Sequence, residues 1–344
     1  MDPTFILIII AVVISVAFDF TNGFHDTANI IAPIIASRAM TPIQSVFLVA
    51  FFEFLGPVFG GTAVADTIGG FVDLSDFSSV DAVVVLACGL SAAVFWNLFT
   101  WWRGIPSSSS HALVGGLTGA VIVSAGGDHV LWGFQQLLQG EFVGVTKVII
   151  ALLFSPLIGF WLGFFLQKLM MLLLRAAKPS INTSLKRGQI FTAAGLAFSH
   201  GTNDAQKSMG VLTLILLLSG QISEFIVPTW VIFVCASAIT LGVILGGWRI
   251  VKTLGFAIYK IRPIHALNCQ LTSIAVIFSA SLLGAPVSTT HVVSSSIMGI
   301  GSAERYKSVK WQKANEMLQT WIITIPTTAV VAMLIYSLLH FLMK

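Results

Sequence analysis

Residues 104–119 read GIPSSSSHALVGGLTG, and residues 284–299 read GAPVSTTHVVSSSIMG. Gly104, Pro106, Ser108, His111 and Gly119 of the first stretch meet Gly284, Pro286, Ser288, His291 and Gly299 of the second, at a constant offset of 180. A flexible Gly/Ser linker has no reason to recur between apolar flanks. Proline favours the first turn of a helix and hydroxyl side chains favour its N-cap, so each stretch is predicted to start a short helix. Such a start exposes free N–H groups and the positive end of the helix dipole, and it attracts anions. The small residues that follow, Gly115, Gly116 and Ser294 to Ser296, suit a tightly packed re-entrant hairpin. Two of them, entering from opposite faces, would converge on one oxyanion.

The surroundings are those of a membrane protein. The 344 residues are 56% hydrophobic and 9% charged, with a mean hydropathy of +0.93, whereas soluble domains carry about 25% charged residues. Apolar runs at 5–18, 43–64, 82–102, 148–174, 226–247, 266–284 and 317–343 approach the ~20 residues that a helical span needs. The run at 5–18 lacks a basic start and a small-residue cleavage site, so it reads as a span and not as a cleaved signal. Cys88, Cys235 and Cys269 fall in separate runs and read as packing residues. Lys and Arg cluster at Arg38, Arg103, Lys168 to Arg187, Arg249 to Arg262 and Arg305 to Lys313, while 63–81, 126–145 and 219–226 contain acids and no Lys or Arg. Cytoplasmic loops are enriched in Lys and Arg, which predicts a multi-pass protein of the inner (plasma) membrane with both termini extracytoplasmic. The lipid bilayer explains the net charge of +4, and nucleic acid is not needed as a partner.

A second motif repeats with the first. Residues 20–29, FTNGFHDTAN, align with 198–207, FSHGTNDAQK, at an offset of 178, so that Phe20, Gly23 and Asp26 meet Phe198, Gly201 and Asp204. Between the copies lies AAKPSINTSLKRG, 176–188, read as a cytoplasmic linker joining a first repeat, 1–175, to a second, 189–344. The first half runs from outside to inside and the second from inside to outside. The fold class expected is therefore all-α and polytopic, with two inverted-topology repeats, broken helices and two re-entrant hairpins, the plan of many secondary transporters whose sites lie near the midplane. The period is far longer than that of a solenoid.

Asp26 lies deep in the first apolar segment, and Gly23 and Pro33 predict a break in its helix; unwound backbone at membrane depth must line a cavity or be covered by protein. A bare carboxylate there costs about several kcal/mol unless it is paired or binds a cation. Asn22, Thr27 and Asn29 add neutral oxygens, a set suited to Na⁺ or to a proton. Asp204 with Thr202, Asn203 and Gln206 repeats the arrangement. The plainer alternative is that both aspartates cap half-helices. Lys207 stands where the first copy has Asn29, and it can pair with Asp204, contact an anion or snorkel. Asp19 and Glu53 are embedded too; both can be structural acids, and Glu53, in FFEFLG, is the better coupling candidate. His25 reads equally as a proton relay or as structure. His111 and His291 read as packing residues. A serine hydrolase would need a nucleophile, a base and an orienting group, and Ser109 or Ser110 beside His111 supplies sequence neighbours only.

NGFHDTAN and HGTNDAQK, with GIPSSSSH, GAPVSTTH and FFEFLG, resemble the paired signatures of the inorganic phosphate transporter (PiT-type) family, usually written around Gly-Ala-Asn-Asp-Val-Ala-Asn. The match spans both halves. The resemblance implies a carrier and not an enzyme, importing inorganic phosphate by symport with H⁺ or Na⁺, with alternating access around a midplane site, as a homodimer. It implies a substrate set of Asp26, Asn29, Ser108, Ser109, Ser110, Asn203, Asp204, Lys207, Ser288, Thr289 and Thr290. Read from the residues, the coupling set expected is Asp26, Asn22, Thr27, Asn29, Glu53, Asp204 and Gln206, with Na⁺ a candidate at Asp26 and Asp204; Lys207 stands to replace one such cation, and no resident cofactor is expected. His25 and Lys207 replace signature asparagines, and with the short linker they resemble the bacterial low-affinity branch. In that branch proton coupling is commonly inferred, with a divalent metal carried alongside phosphate. Alternatives are another tetrahedral oxyanion such as sulfate, a cation channel and an intramembrane serine hydrolase. A channel would need carboxylate rings or a carbonyl filter. Embedded carboxylates repel a bare phosphate strongly in a low dielectric, so a cation or proton must bind with it, which makes symport a physical expectation.

Overall fold

The computed structural model describes residues 3–343, and Met1 and Lys344, whose sidedness was predicted above, lie outside the described residues. Thirteen α-helices follow in order: α1 (Pro3–Ala36), α2 (Pro42–Phe59), α3 (Ala63–Gly69), α4 (Ser79–Arg103), α5 (Ser109–Ser124), α6 (Phe134–Leu138), α7 (Gly144–Leu173), α8 (Ile181–Leu218), α9 (Thr229–Leu245), α10 (Trp248–Lys252), α11 (Pro263–Leu282), α12 (Thr289–Arg305) and α13 (Trp311–Met343). Among the described residues, α1, α2, α4, α7, α11 and α13 are long and apolar enough to span a membrane. The chain is a multi-pass membrane protein. Its outward faces are apolar, as lipid requires: Phe154, Leu157, Trp161 and Phe165 of α7 and Leu334 and Leu338 of α13 are all more than half exposed.

Helix α8 follows a different logic. Its 38 residues reach about 57 Å at 1.5 Å per residue, yet its polar content keeps it out of the apolar set. From Ser199 to Leu216 every residue is buried, so protein rather than lipid surrounds it. Its start also revises the expected linker, because Ile181 to Gly188 are helical and only the stretch through Ser180 is loop. Leu185 is buried, and Leu, Lys and Arg are good helix formers.

The break expected at Gly23 and Pro33 is absent: α1 runs unbroken through both, and α8 runs unbroken through Gly201. The glycines serve close crossing instead. A Cβ on Gly23 would strike the Ile239 carbonyl of α9, and one on Gly242 of α9 would strike the Phe20 carbonyl. The repeat mates cross alike, since a Cβ on Gly201 would strike the Glu53 carbonyl of α2 and one on Gly56 the Phe198 carbonyl. Pro33 lies in the last turn of α1, where little helix remains to disrupt. The broken span lies elsewhere: α9 and the helical stretch Trp248–Ala257 are bent by 59° across Gly246, whose φ is +57°.

The short helices α5 and α12 are packed inside the bundle. Helix α5 lies against α4 and α13, and α12 against α11 and α7. A Cβ on Gly119 would strike the Ala329 carbonyl of α13, and one on its mate Gly299 the Phe160 carbonyl of α7. The last helix of each half thus covers the short helix of the other half, and the halves interlock.

Candidate functional site

Both short helices begin in the same way. Gly104 and Gly284 take φ values of +67° and +62°, a left-handed backbone that glycine adopts without penalty, and turn the chain inward. Ser108 then caps α5, its Oγ accepting from His111 N at 3.2 Å, and Ser288 caps α12, accepting from His291 N at 3.3 Å. Those two hydroxyls, predicted to touch substrate, cap their own helices, each satisfying one of the otherwise free N–H groups of a first turn. The histidines are packing groups, as expected. Their rings lie 4.6 Å apart, and His291 stacks on Trp321 at 3.8 Å.

Of the hydroxyls one and two positions further on, three point to Asp26, and Ser110 donates instead to the Val287 carbonyl at 3.0 Å. Thr290 Oγ1 donates to Asp26 Oδ1 at 3.1 Å, Thr289 Oγ1 to Asp26 Oδ2 at 3.4 Å, and Ser109 Oγ to Asp26 Oδ2 at 3.3 Å. Asn29 Nδ2 donates to Thr290 Oγ1 at 2.9 Å. The first-half aspartate therefore binds the starts of both α5 and α12. His25 Nδ1 meets Asp26 Oδ1 at 2.6 Å, and His25 Nε2 reaches Thr100 and Ser107, each at 3.3 Å. Its repeat mate Asn203 does similar work in the second half, donating to Ser281 Oγ at 3.0 Å and Ala285 O at 3.2 Å and accepting from Val287 N at 3.1 Å. His25 and Asn203 tie each motif helix to the loop that enters its own hairpin.

Asp204 is paired within α8. Lys207 Nζ donates to Asp204 Oδ1 at 2.5 Å, to Ser110 Oγ at 2.6 Å and to the Val287 carbonyl at 2.9 Å. Of the three readings of Lys207, pairing with Asp204 is the one observed, and the ammonium also bridges the start of α5 and the segment that leads into α12. Snorkelling is not observed, for Lys207 is fully buried.

Sequence reasoning missed His200. Its Nδ1 contacts Glu53 Oε1, and its Nε2 faces Asp204 Oδ2 at 3.1 Å without hydrogen-bonding alignment. Asp26, His200 and Asp204 bring donor atoms within 4.8 Å of one another. The available signal was helical spacing, because His200 precedes Asp204 by one turn and so shares its face; its repeat mate is Asn22, which hid it. Glu53 reaches the centre only through His200.

Two other residues of the predicted coupling set, Gln206 and Thr27, are engaged elsewhere, and a third, Asn22, is not. Gln206 Oε1 accepts from the backbone of Val64 at 2.7 Å and Ala65 at 3.4 Å, at the start of α3. This corrects its expected place beside a cation, since α3 presents free N–H groups to it. Thr27 Oγ1 donates to the Gly23 carbonyl of its own helix. Asn22 is buried with neither amide atom bonded. At the far end of α12, Glu304 accepts from Tyr259 and contacts Arg262 and His265. Partial burial works against its charge, but Arg262 and His265 hold its carboxyl below the ordinary value.

Taken together, two helix starts, four hydroxyls, one ammonium, one imidazole and two carboxylates meet at a point where Asp26, Asp204, His200, Lys207, Ser109, Ser110, Thr289 and Thr290 are each no more than 2% exposed. The profile described as the phosphate transporter family matches residues 22–187 and 173–332, one match for each half. The chain belongs to the phosphate transporter family. It is 43% identical, over 99% of both chains, to a protein of Bacillus subtilis named a probable low-affinity inorganic phosphate transporter. Proteins with the same name from Rhizobium meliloti and Mycobacterium leprae are 38% and 40% identical, across 98% and 99% of this chain and 98% and 80% of theirs. A solved structure, "The sodium-dependent phosphate transporter", is similar over 97% of this chain and 99% of that one, with a TM-score of 0.86 at 24% identity, a likeness of fold. Membership of a transporter family bears out the resemblance carried by the motifs and leaves no place for the serine hydrolase.

Proposed function

We propose that this member of the phosphate transporter family imports inorganic phosphate by cation-coupled symport, alternating access around a site near the membrane midplane. The observation that carries the reading is the meeting of Ser109 and Ser110 of α5 with Thr289 and Thr290 of α12 around Asp26 and Lys207. Helix starts and an ammonium attract a tetrahedral oxyanion, while Asp26 and Asp204 repel it. Binding phosphate there requires a positive partner. The donor atoms of Asp26, His200 and Asp204 supply a place for one.

Two carboxylates and an imidazole suit a proton, Na⁺ on the oxygens, or a divalent ion entering as cargo with phosphate. The names of the full-length relatives favour phosphate over sulfate. The second hairpin offers Thr289 and Thr290 where the first has Ser109 and Ser110, so both sides present hydroxyl donors to the same anion. The reading extends to basic loops in the cytoplasm, termini outside, a plasma-membrane location and a homodimer, which cysteine labelling in cells and cross-linking would test.

The deciding experiment is uptake of radiolabelled phosphate into proteoliposomes under imposed Na⁺ or pH gradients, with sulfate as competitor. Saturable phosphate uptake that rises with one gradient is expected. Uptake indifferent to both gradients would reject symport, and strong competition by sulfate would shift the substrate.

A further inference from the structure

We propose that α1 and α8 enclose a second cation site, centred on Asp19, that takes a coupling ion, H⁺ or Na⁺, in addition to the Asp26–Asp204 centre. The proposal rests on the symport reading above. Asp19 lies seven residues before Asp26 on α1, about 10 Å along the helix. It is 0% exposed, and among the described residues neither of its carboxylate oxygens has a hydrogen-bond partner. The other buried acids of the bundle are all engaged: Asp26 by His25 and three hydroxyls, Asp204 by Lys207, and Glu53 by His200.

The unpartnered groups continue around it. Both amide atoms of Asn22, the hydroxyl of Ser15 and the hydroxyl of Ser208 are buried and unbonded. Ser15, Asp19, Asn22 and Asp26 follow one another at spacings of four, three and four, which places them on one face of α1. Ser208 of α8 and Cys235 of α9 lie beside Asp19 as the side chains near enough to donate to it, though neither is aligned in a full hydrogen bond, and the charged groups that act on it are Asp204 and Lys207. A carboxylate at membrane depth is expensive unless it is protonated or neutralised by a cation. Apart from the Cys235 thiol, the surrounding donors are carboxylate, amide and hydroxyl oxygens, a set that suits a proton or Na⁺ better than a soft metal.

Asp19 is also particular to the first half. Its repeat mate, at the offset of 178, is Ala197. The α8–α2 crossing through Gly201 and Gly56 is built like the α1–α9 crossing through Gly23 and Gly242, yet only the first half carries the acid. The unpartnered stripe lies on the face of α1 that also carries Asp26, the aspartate at the starts of α5 and α12.

The test measures how many ions accompany each phosphate. In proteoliposomes at steady state, the logarithm of the phosphate ratio across the membrane is plotted against the logarithm of an imposed Na⁺ or proton ratio, and the slope counts coupled ions. Asp19→Asn is expected to lower the slope by one for the ion that occupies the site, and Asp19→Glu to restore it. The same slope in wild type and Asp19→Asn would overturn the proposal. Should Asp19→Asn fail to transport, the purified protein is read by phosphate-induced thermal stabilisation at graded Na⁺ and pH. A shallower ion dependence than wild type supports the site, and an unchanged one overturns it. A wild-type slope of zero for both ions would defeat the symport reading itself, a result distinct from the loss of one ion in the variant.

Discussion

Lys207 Nζ stands 2.5 Å from Asp204 Oδ1 and 2.6 Å from Ser110 Oγ, so a single ammonium joins α8 to a hairpin tip 97 residues away in sequence. At the equivalent place in the first half stands Asn29, which donates to Thr290 and carries no charge. The two halves share a plan and differ in electrostatics at its centre.

Replacing Lys207 with Asn would give the second half the residue of the first. It would also strand Asp204, and removing one partner of a buried pair costs about 3–5 kcal/mol. Phosphate uptake should fall at least tenfold, and elevated Na⁺ should recover part of it by filling the vacated place. Uptake in proteoliposomes at low and high Na⁺ measures both effects.

Asp26→Asn keeps the size of the side chain and removes the charge that accepts from Ser109, Thr289 and Thr290. Gradient-driven uptake should disappear while the purified protein stays monodisperse. Uptake within twofold of wild type would remove Asp26 from the site.

The hydroxyls should separate by role. Ser108→Ala deletes an N-cap, with a cost of about 1 kcal/mol, and should lower the thermal midpoint while changing KM little. Ser110→Ala and Thr290→Ala remove groups at the meeting point of the hairpins and should raise KM severalfold with a smaller effect on stability. Uptake kinetics alongside thermal unfolding would show whether the split holds.

Crossing glycines should tolerate nothing larger. A side chain at Gly201 would strike the Glu53 carbonyl, whereas one at Gly188 would meet only Leu267 Cδ1 at 3.4 Å. Gly201→Val should yield aggregated protein and Gly188→Ala should behave as wild type, as size-exclusion chromatography after extraction would report.

Glu53→Gln addresses the contact with His200. Losing the carboxylate leaves His200 facing Asp204 alone, so the pH dependence of uptake should shift even where the maximal rate survives. A pH profile superimposable on that of wild type would make Glu53 a structural residue.

The sequence disclosed the duplicated plan because its marks are rigid requirements. Gly104 and Gly284 must take positive φ, Pro106 and Pro286 introduce a helix start, and Ser108 and Ser288 cap one. Function and capping draw on the same hydroxyls, however, so spacing alone could not divide Ser108 from Ser109. Gly23 was ambiguous for a similar reason: a glycine permits both an unwound helix and a close crossing, and only the partner helix α9 decides between them. Helix α8 looked too polar for a span because hydropathy assumes lipid neighbours, and its neighbours are helices. His200 stayed hidden because the offset that revealed Asp204 aligned it with Asn22, while its contacts come from α2.

The covering of each short helix by the last helix of the opposite half bears on how the chain is made. Helix α5 ends at Ser124, and α13, which covers it, does not begin until Trp311. At synthesis rates of roughly 5–20 residues per second, the ribosome needs about ten to forty seconds to supply that cover. Through that interval a polar, hydroxyl-rich helix start stands in the translocating membrane without its final neighbour, and biogenesis must shelter it until the last segment is threaded into place.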